Sequence, residues 1–197
     1  MIGQTADKQK LRPGVVMHET LLKLYRDHVH FFKLMDIFEA ELDRLKQGGM
    51  TSVDLITEVA NYMRDYSDTI HHPIEDHLYQ INLARTDDGR EALEQLLVHH
   101  QAIMNMTREF RLAIEQLGKP DGLSIEEVEK LGRDYLDHQR SHMTFEEEKA
   151  FPLLAEQLGS DDFDYASGAL PADQDPLLAP GLQERYPALH SHLQKHG

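Results

Sequence analysis

Apolar residues recur at alternating three- and four-residue steps through four long stretches, the spacing that builds one buried face of an α-helix. The first stretch spans about residues 15–47, with Leu21, Leu24, His28, Phe31, Met35, Phe38, Leu42 and Leu45 on its stripe. Gly48 and Gly49 end it, as residues tolerant of a left-handed turn do. The second, about 52–83, carries Val59, Met63, Tyr66, Ile70, Ile74, Leu78 and Ile81. It contains Pro73, which removes a backbone donor and predicts a local kink. The third, about 90–117, is marked by Leu93, Leu96, His100, Ile103, Thr107, Phe110, Ile114 and Leu117. The fourth runs to about 158 through Val128, Leu131, Tyr135, His138, His142, Phe145 and Leu153. It opens on Ser124 and Glu127, spaced as a capping box.

Short connections between long helices place neighbours antiparallel. The expected fold is all-α: an up-down-up-down antiparallel four-helix bundle over residues 15–158, after an N-terminal arm at 1–14. Residues 159–197 break the pattern and hold four of the eight prolines, so an irregular C-terminal extension is expected there, laid over the bundle. No strand pattern is present.

Three stripe or near-stripe features carry chemistry. His28 and His100 sit at matching places on the first and third stripes, and His71 and His142 each precede a glutamate by four residues, Glu75 and Glu146. Residues four apart on a helix project from one face. The spacing repeats: 43 residues separate His28 from His71, and 42 separate His100 from His142. His28 lies 19 residues before the end of its stretch at Gln47, and His71 lies 19 after the start of its own at Ser52. At about 1.5 Å per helical residue the two reach one level, and similar counting brings His100, His142, Glu75 and Glu146 to the same layer. Buried carboxylates without partners cost several kcal/mol each. One or two cations in the layer would offset that, so a metal site at His28, His71, Glu75, His100, His142 and Glu146 is expected.

The other histidines carry weaker expectations. His30, His72 and His99 should point sideways from the stripes, and His138, a turn before His142, is an alternative ligand or a partner of one. His77 should be solvated, and His18, His190, His192 and His196 should lie on the surface. Met104 and Met106 read as core filler.

Composition narrows the metal. With no cysteine, thiolate sites, disulfides and cysteine nucleophiles are excluded, and a histidine–carboxylate site suits iron, manganese or zinc. A formal charge of −15 disfavours nucleic acid and anionic membranes as partners. The N-terminus shows no apolar signal-peptide core and nothing approaches the ~18 apolar residues of a membrane span, so a cytoplasmic location is expected.

The stretches Asp27–His30, His71–Tyr79 (HHPIEDHLY), Leu96–Gln101 (LLVHHQ) and His142–Leu158 (HMTFEEEKAFPLLAEQL) resemble the successive motifs of hemerythrin-like, HHE cation-binding domains. That resemblance covers roughly residues 15–158. It implies two iron ions, bridged by an oxo or hydroxo group, with His28, His71, His100 and His142 as terminal ligands and Glu75 and Glu146 as carboxylate bridges. Oxygen-carrying members have a histidine four residues after the third-helix ligand, where this chain has Met104, and close with His-xxxx-Asp rather than His142-xxx-Glu146. The set of four His and two Glu is more similar to repair-of-iron-centres proteins. Without the fifth histidine both irons would stay open to O2, NO or peroxide. The function implied is a non-haem di-iron protein of stress response that handles or senses such small ligands or supplies iron for repair. Alternatives are an oxidative di-iron enzyme, whose Glu-xx-His spacing is not found here, and a helical adaptor with a structural zinc site.

Overall fold

A computed structural model describes residues 17–48, 53–169 and 175–196. The expected arm at 1–14 and the starts of the first two stretches at 15 and 52 lie outside the described residues, as does Gly49. Every regular element among the described residues is helical.

Helix α1 (Glu19–Lys46) buries the expected stripe and ends as Gly48 turns to a φ of +67°. Glu19 at its start and Arg44 and Lys46 at its end complement the helix dipole. The second stretch is one helical rod in three parts: α2 (Val53–Tyr62), a π-helical segment Met63–His71, and α3 (His72–Leu83). Pro73 does not end the rod. It occupies the first turn of α3, directly after the π-helical segment. The wider turn ahead of it takes up the strain, with the His72 N–H donating five residues back to the Ser67 carbonyl.

Helix α4 (Arg90–Gln116) follows Gly89, whose φ is +76° and whose hydrogen faces Leu153 so closely that a Cβ would collide with it. Helix α5 (Ile125–Phe145) starts at the expected capping box of Ser124 and Glu127. A second π-helical segment, Glu146–Ala150, joins it to α6 (Phe151–Gln157). Here too a proline, Pro152, follows the widened turn, and the Phe151 N–H reaches back to the Glu146 carbonyl.

Side-chain pairs fix how these helices lie. Lys46 meets Glu129, Arg133 meets Asp43 and Arg140 meets Asp36, so α1 and α5 run in opposite directions. Arg111 bonds Asn61 while His100 bonds Asp76, which sets α4 antiparallel to the α2–α3 rod. Between them Phe38 and Phe110 pack edge to face, with ring centroids 4.8 Å apart, among Leu42, Val59, Ile103 and Tyr135. A Phe→Ala change in such a core costs about 3–5 kcal/mol.

The extension is not irregular, contrary to the expectation. It forms α7 (Ser160–Gly168), α8 (Leu182–Arg185) and α9 (Pro187–His196), while 170–174 lie outside the described residues. These helices are short and bury only a few apolar side chains, Phe163, Ala166, Tyr186 and Leu189, so their periodicity is weak. Buried Asp175 ties the extension down: Tyr62 donates to one oxygen and His30 to the other, both at 2.6 Å. Tyr186 donates to Asp65 and the Leu189 N–H to Glu58. His18, expected on the surface, caps α1 by accepting from the Thr20 N–H and stacks on Phe163 of α7.

Candidate metal centre

All six residues expected to bind metal lie in one layer, none more than 1% exposed. The four helical stretches deliver them: His28 from α1, His71 from the end of the first π segment, Glu75 from α3, His100 from α4, His142 from α5, and Glu146 from the start of the second π segment. His28 Nε2 and His71 Nε2 are 3.1 Å apart. His71 Nε2 is 3.0 Å from Glu75 Oε1, and His28 Nε2 is 3.7 Å from the same oxygen. On the other side, Glu75 Oε2 lies 3.5 Å from His100 Nε2. Glu146 mirrors this span. Its Oε1 is 3.2 Å from His100 Nε2, and its Oε2 is 3.2 Å from His142 Nε2 and 3.4 Å from His28 Nε2.

The donor atoms sort into two groups, each able to surround one cation. His28, His71 and Glu75 form one; His72, Glu75, His100 and His142 form the other, with donor atoms within 4.8 Å of one another in each. Glu75 belongs to both. Two nitrogens bound at about 2.1 Å to one ion and at right angles to each other would stand roughly 3.0 Å apart, close to the His28–His71 separation. Both Glu75 oxygens, Glu146 Oε2 and both ring nitrogens of His142 are buried without a hydrogen-bond partner. Buried polar atoms left so are rare in a folded protein unless something else satisfies them. A cation would satisfy this set.

The backs of the rings are held by acids. His71 Nδ1 donates to Asp27 at 3.1 Å, His100 Nδ1 to Asp76 at 2.6 Å and His28 Nδ1 to Glu147 at 3.0 Å. A carboxylate behind an imidazole fixes its tautomer and turns the other nitrogen toward a metal. Asp27 also accepts from Lys23 and Tyr66, and Tyr79 donates to Glu146 Oε1 at 2.6 Å. These acids were readable only as neighbours of the motif residues; no periodicity marks them.

Electrostatics point the same way. Burial, the largest single influence on His28, His71 and His100, pushes their pKa values down, yet the surrounding carboxylates more than offset it. All three are raised, His100 to about 10. Glu146 is held well below the usual carboxylate range: burial raises it, but the imidazoles of His142, His100 and His28 around it prevail. The layer draws positive charge, and a cation would supply it in place of protons. Burial pushes His142 well below the ordinary histidine value.

Several flanking residues differ from expectation. His72 is buried within the layer rather than pointing sideways, because the π winding departs from the helical period on which the stripe was read. His77 is half-buried and donates to the Pro73 carbonyl at 2.6 Å instead of being solvated. His99 and His138 are half-buried with rings 5.3 Å apart, and His99 lies edge-on to His142 at 5.9 Å. Met104 is half-buried and stands outside the hydrophobic core, whereas Met106 packs against it.

An all-helical protein with a buried layer of imidazoles and carboxylates, shared between two cation-sized groups, is a metal-binding class defined by fold and site together. Residues 21–154 match the family model described as the hemerythrin HHE cation binding domain. The chain belongs to that family. No curated protein and no solved structure matches it. The matched span takes in every residue of the layer. Among the described residues, no helix is long and apolar enough to cross a membrane.

Proposed function

We propose that this protein holds two iron ions at His28, His71, Glu75, His100, His142 and Glu146, and uses them to handle or sense O2, NO or peroxide or to supply iron for repair. The observation that carries this reading is Glu75, whose two oxygens face different histidine groups. A carboxylate in that position bridges a pair of ions. Glu146, which reaches His28 with one oxygen and His100 with the other, is the second bridge. The frame is a four-helix up-down-up-down bundle over residues 15–158, supported by the antiparallel side-chain pairs of α1 with α5 and of α4 with the α2–α3 rod. A cytoplasmic setting suits a cysteine-free, acidic chain of this kind.

When bound, ferrous ions supply electrons and open coordination positions to a small ligand. The chain itself does the rest. Asp27, Asp76 and Glu147 hold three imidazoles in the orientation that presents Nε2 inward. Phe31 and Phe151 cover the His28 and His71 rings, with centroids 4.9–5.2 Å away, and keep bulk water out. Tyr79 keeps its phenol proton and donates a hydrogen bond to Glu146 Oε1, since burial raises its pKa well above the ordinary phenol value. The half-buried Met104 leaves the place of a fifth histidine without a nitrogen donor, which favours redox chemistry over reversible oxygen carriage.

Mixing anaerobically loaded ferrous protein with NO and, separately, with O2 tests the assignment. The expected outcome is a spectroscopic NO adduct and rapid oxidation in O2 without a long-lived oxygenated form. A reversible oxygenated band persisting for hours would overturn it.

A further inference from the structure

Three buried tyrosines stand in line between the layer and the docked extension. Tyr66 and Tyr62 lie four residues apart on the second rod, and Tyr186 comes from the extension, between α8 and α9. None is more than 2% exposed. Ring centroids are 5.8 Å apart from Tyr66 to Tyr62 and 6.0 Å from Tyr62 to Tyr186. At the inner end, Tyr66 donates to Asp27 Oδ2, the oxygen that also accepts from His71 Nδ1. Phe31 packs edge-on against both Tyr66 and His71. At the outer end, Tyr186 donates to the partly exposed Asp65 and lies under the guanidinium of the exposed Arg185.

Each phenol has its own carboxylate: Asp27 at 3.1 Å for Tyr66, Asp175 at 2.6 Å for Tyr62 and Asp65 at 3.0 Å for Tyr186. Packing alone asks for no such match, since phenylalanine fills the same space without a hydroxyl to satisfy. Burial pushes all three phenols well above their ordinary value. A phenol held in this way loses an electron only if its proton leaves too, and a carboxylate in hydrogen-bond contact can take that proton. Cations set the order along the line. Lys23 Nζ is 2.6 Å from the Tyr66 hydroxyl and Arg185 lies over the Tyr186 ring, and positive charge nearby opposes the loss of an electron. Tyr62 has the shortest of the three acid contacts, so it gives up an electron most easily.

We propose that Tyr66, Tyr62 and Tyr186 form a one-electron route between the surface and the metal layer, with Tyr62 as its redox-active stop. This rests on the two-iron reading above. Reduction of O2 to water takes four electrons and four protons, and two ferrous ions supply two of the electrons. The other two leave Tyr62 one at a time, past the ring of Tyr66. Each time, the phenol proton moves to Asp175 and a neutral tyrosyl radical remains. A small external one-electron reductant of the ascorbate type refills the radical through Tyr186, and the proton returns from Asp175. The four protons that end in water come from solvent. The extension thereby supplies two parts of the route, Asp175 and Tyr186, which gives its docking a use.

Rapid freeze-quench electron paramagnetic resonance on the full chain tests this. Anaerobically loaded ferrous protein is mixed with O2 and one equivalent of ascorbate, and metal content and ferrous oxidation are measured on the same samples. The wild type should show a radical signal that narrows when the protein is grown on ring-deuterated tyrosine. Tyr62→Phe should lose the signal while its ions are still oxidised. In Tyr186→Phe the signal should form and then decay several-fold more slowly when excess ascorbate is added. Oxidised ions without a tyrosyl signal, a signal unmoved by Tyr62→Phe, or a decay unmoved by Tyr186→Phe overturns the route while the two-iron reading stands. If Tyr62→Phe does not fold, the deuterated wild type and Tyr186→Phe decide. Fewer than two ions bound to the wild type, or ferrous ions that O2 does not oxidise, overturns the two-iron reading and this inference with it.

Discussion

His28 and His71, 43 residues apart in the chain, bring their Nε2 atoms to 3.1 Å at the centre of the bundle, each ring backed by its own carboxylate. Two imidazole nitrogens face each other in this way only with a proton or a cation between them. His28→Ala should therefore remove one ion and spare the other, whereas Glu75→Ala, which touches both groups, should reduce both. Metal content of the two variants after ferrous loading checks this. Equal losses in both would place Glu75 outside a bridging role.

Asp76 holds His100 through its Nδ1 at 2.6 Å and belongs to neither donor group. Asp76→Asn should keep the fold and weaken metal binding by roughly 10–100-fold, the usual effect of losing a carboxylate behind a ligand. Chelator competition measures it. Unchanged affinity would mean the His100 ring is fixed by packing on His72 and Tyr79 alone.

Metal-free and metal-loaded protein should respond oppositely to pH. His28, His71 and His100 are raised above the ordinary histidine value of 6.5. A raised folded-state value gives stability that is full below the unfolded value and lost as pH climbs through the folded one. With His100 near 10, the metal-free protein should lose stability between about pH 7 and pH 9. Ions require the same imidazoles neutral, so the loaded protein should gain stability over that range. Thermal melts at both pH values, with and without metal, should show slopes of opposite sign; parallel slopes would contradict the assignment.

The extension should behave as a docked part of the molecule. Asp175 is buried and accepts from Tyr62, His30 and the Leu177 N–H. Asp175→Ala strips these donors of their partner and should cost about 1–3 kcal/mol. Faster protease cleavage within residues 175–196, with metal content unchanged, is the expected result. Protection equal to wild type would mean that Tyr186 and Leu189 hold the extension by themselves.

How much of this was legible in the sequence follows from what repeats. The four stripes and the six residues of the layer obey one helical period, so counting residues brings His28, His71, His100 and His142 to one depth. His72 breaks that period because a π turn precedes it, and no local residue type announces a π turn except the proline after it. The same signal recurs ahead of Pro152. Helices α7, α8 and α9 bury too few apolar residues to show a stripe, and Asp175 is held by partners more than a hundred residues away. Asp27, Asp76 and Glu147 stand next to motif residues, and their role rests on geometry that adjacency alone does not encode.

The central claim is that one buried layer takes two cations shared through Glu75 and Glu146. Metal analysis of the full chain after saturating anaerobic ferrous loading tests it most directly. Two ions per chain are predicted, whereas a ratio of one or less at saturation would contradict it.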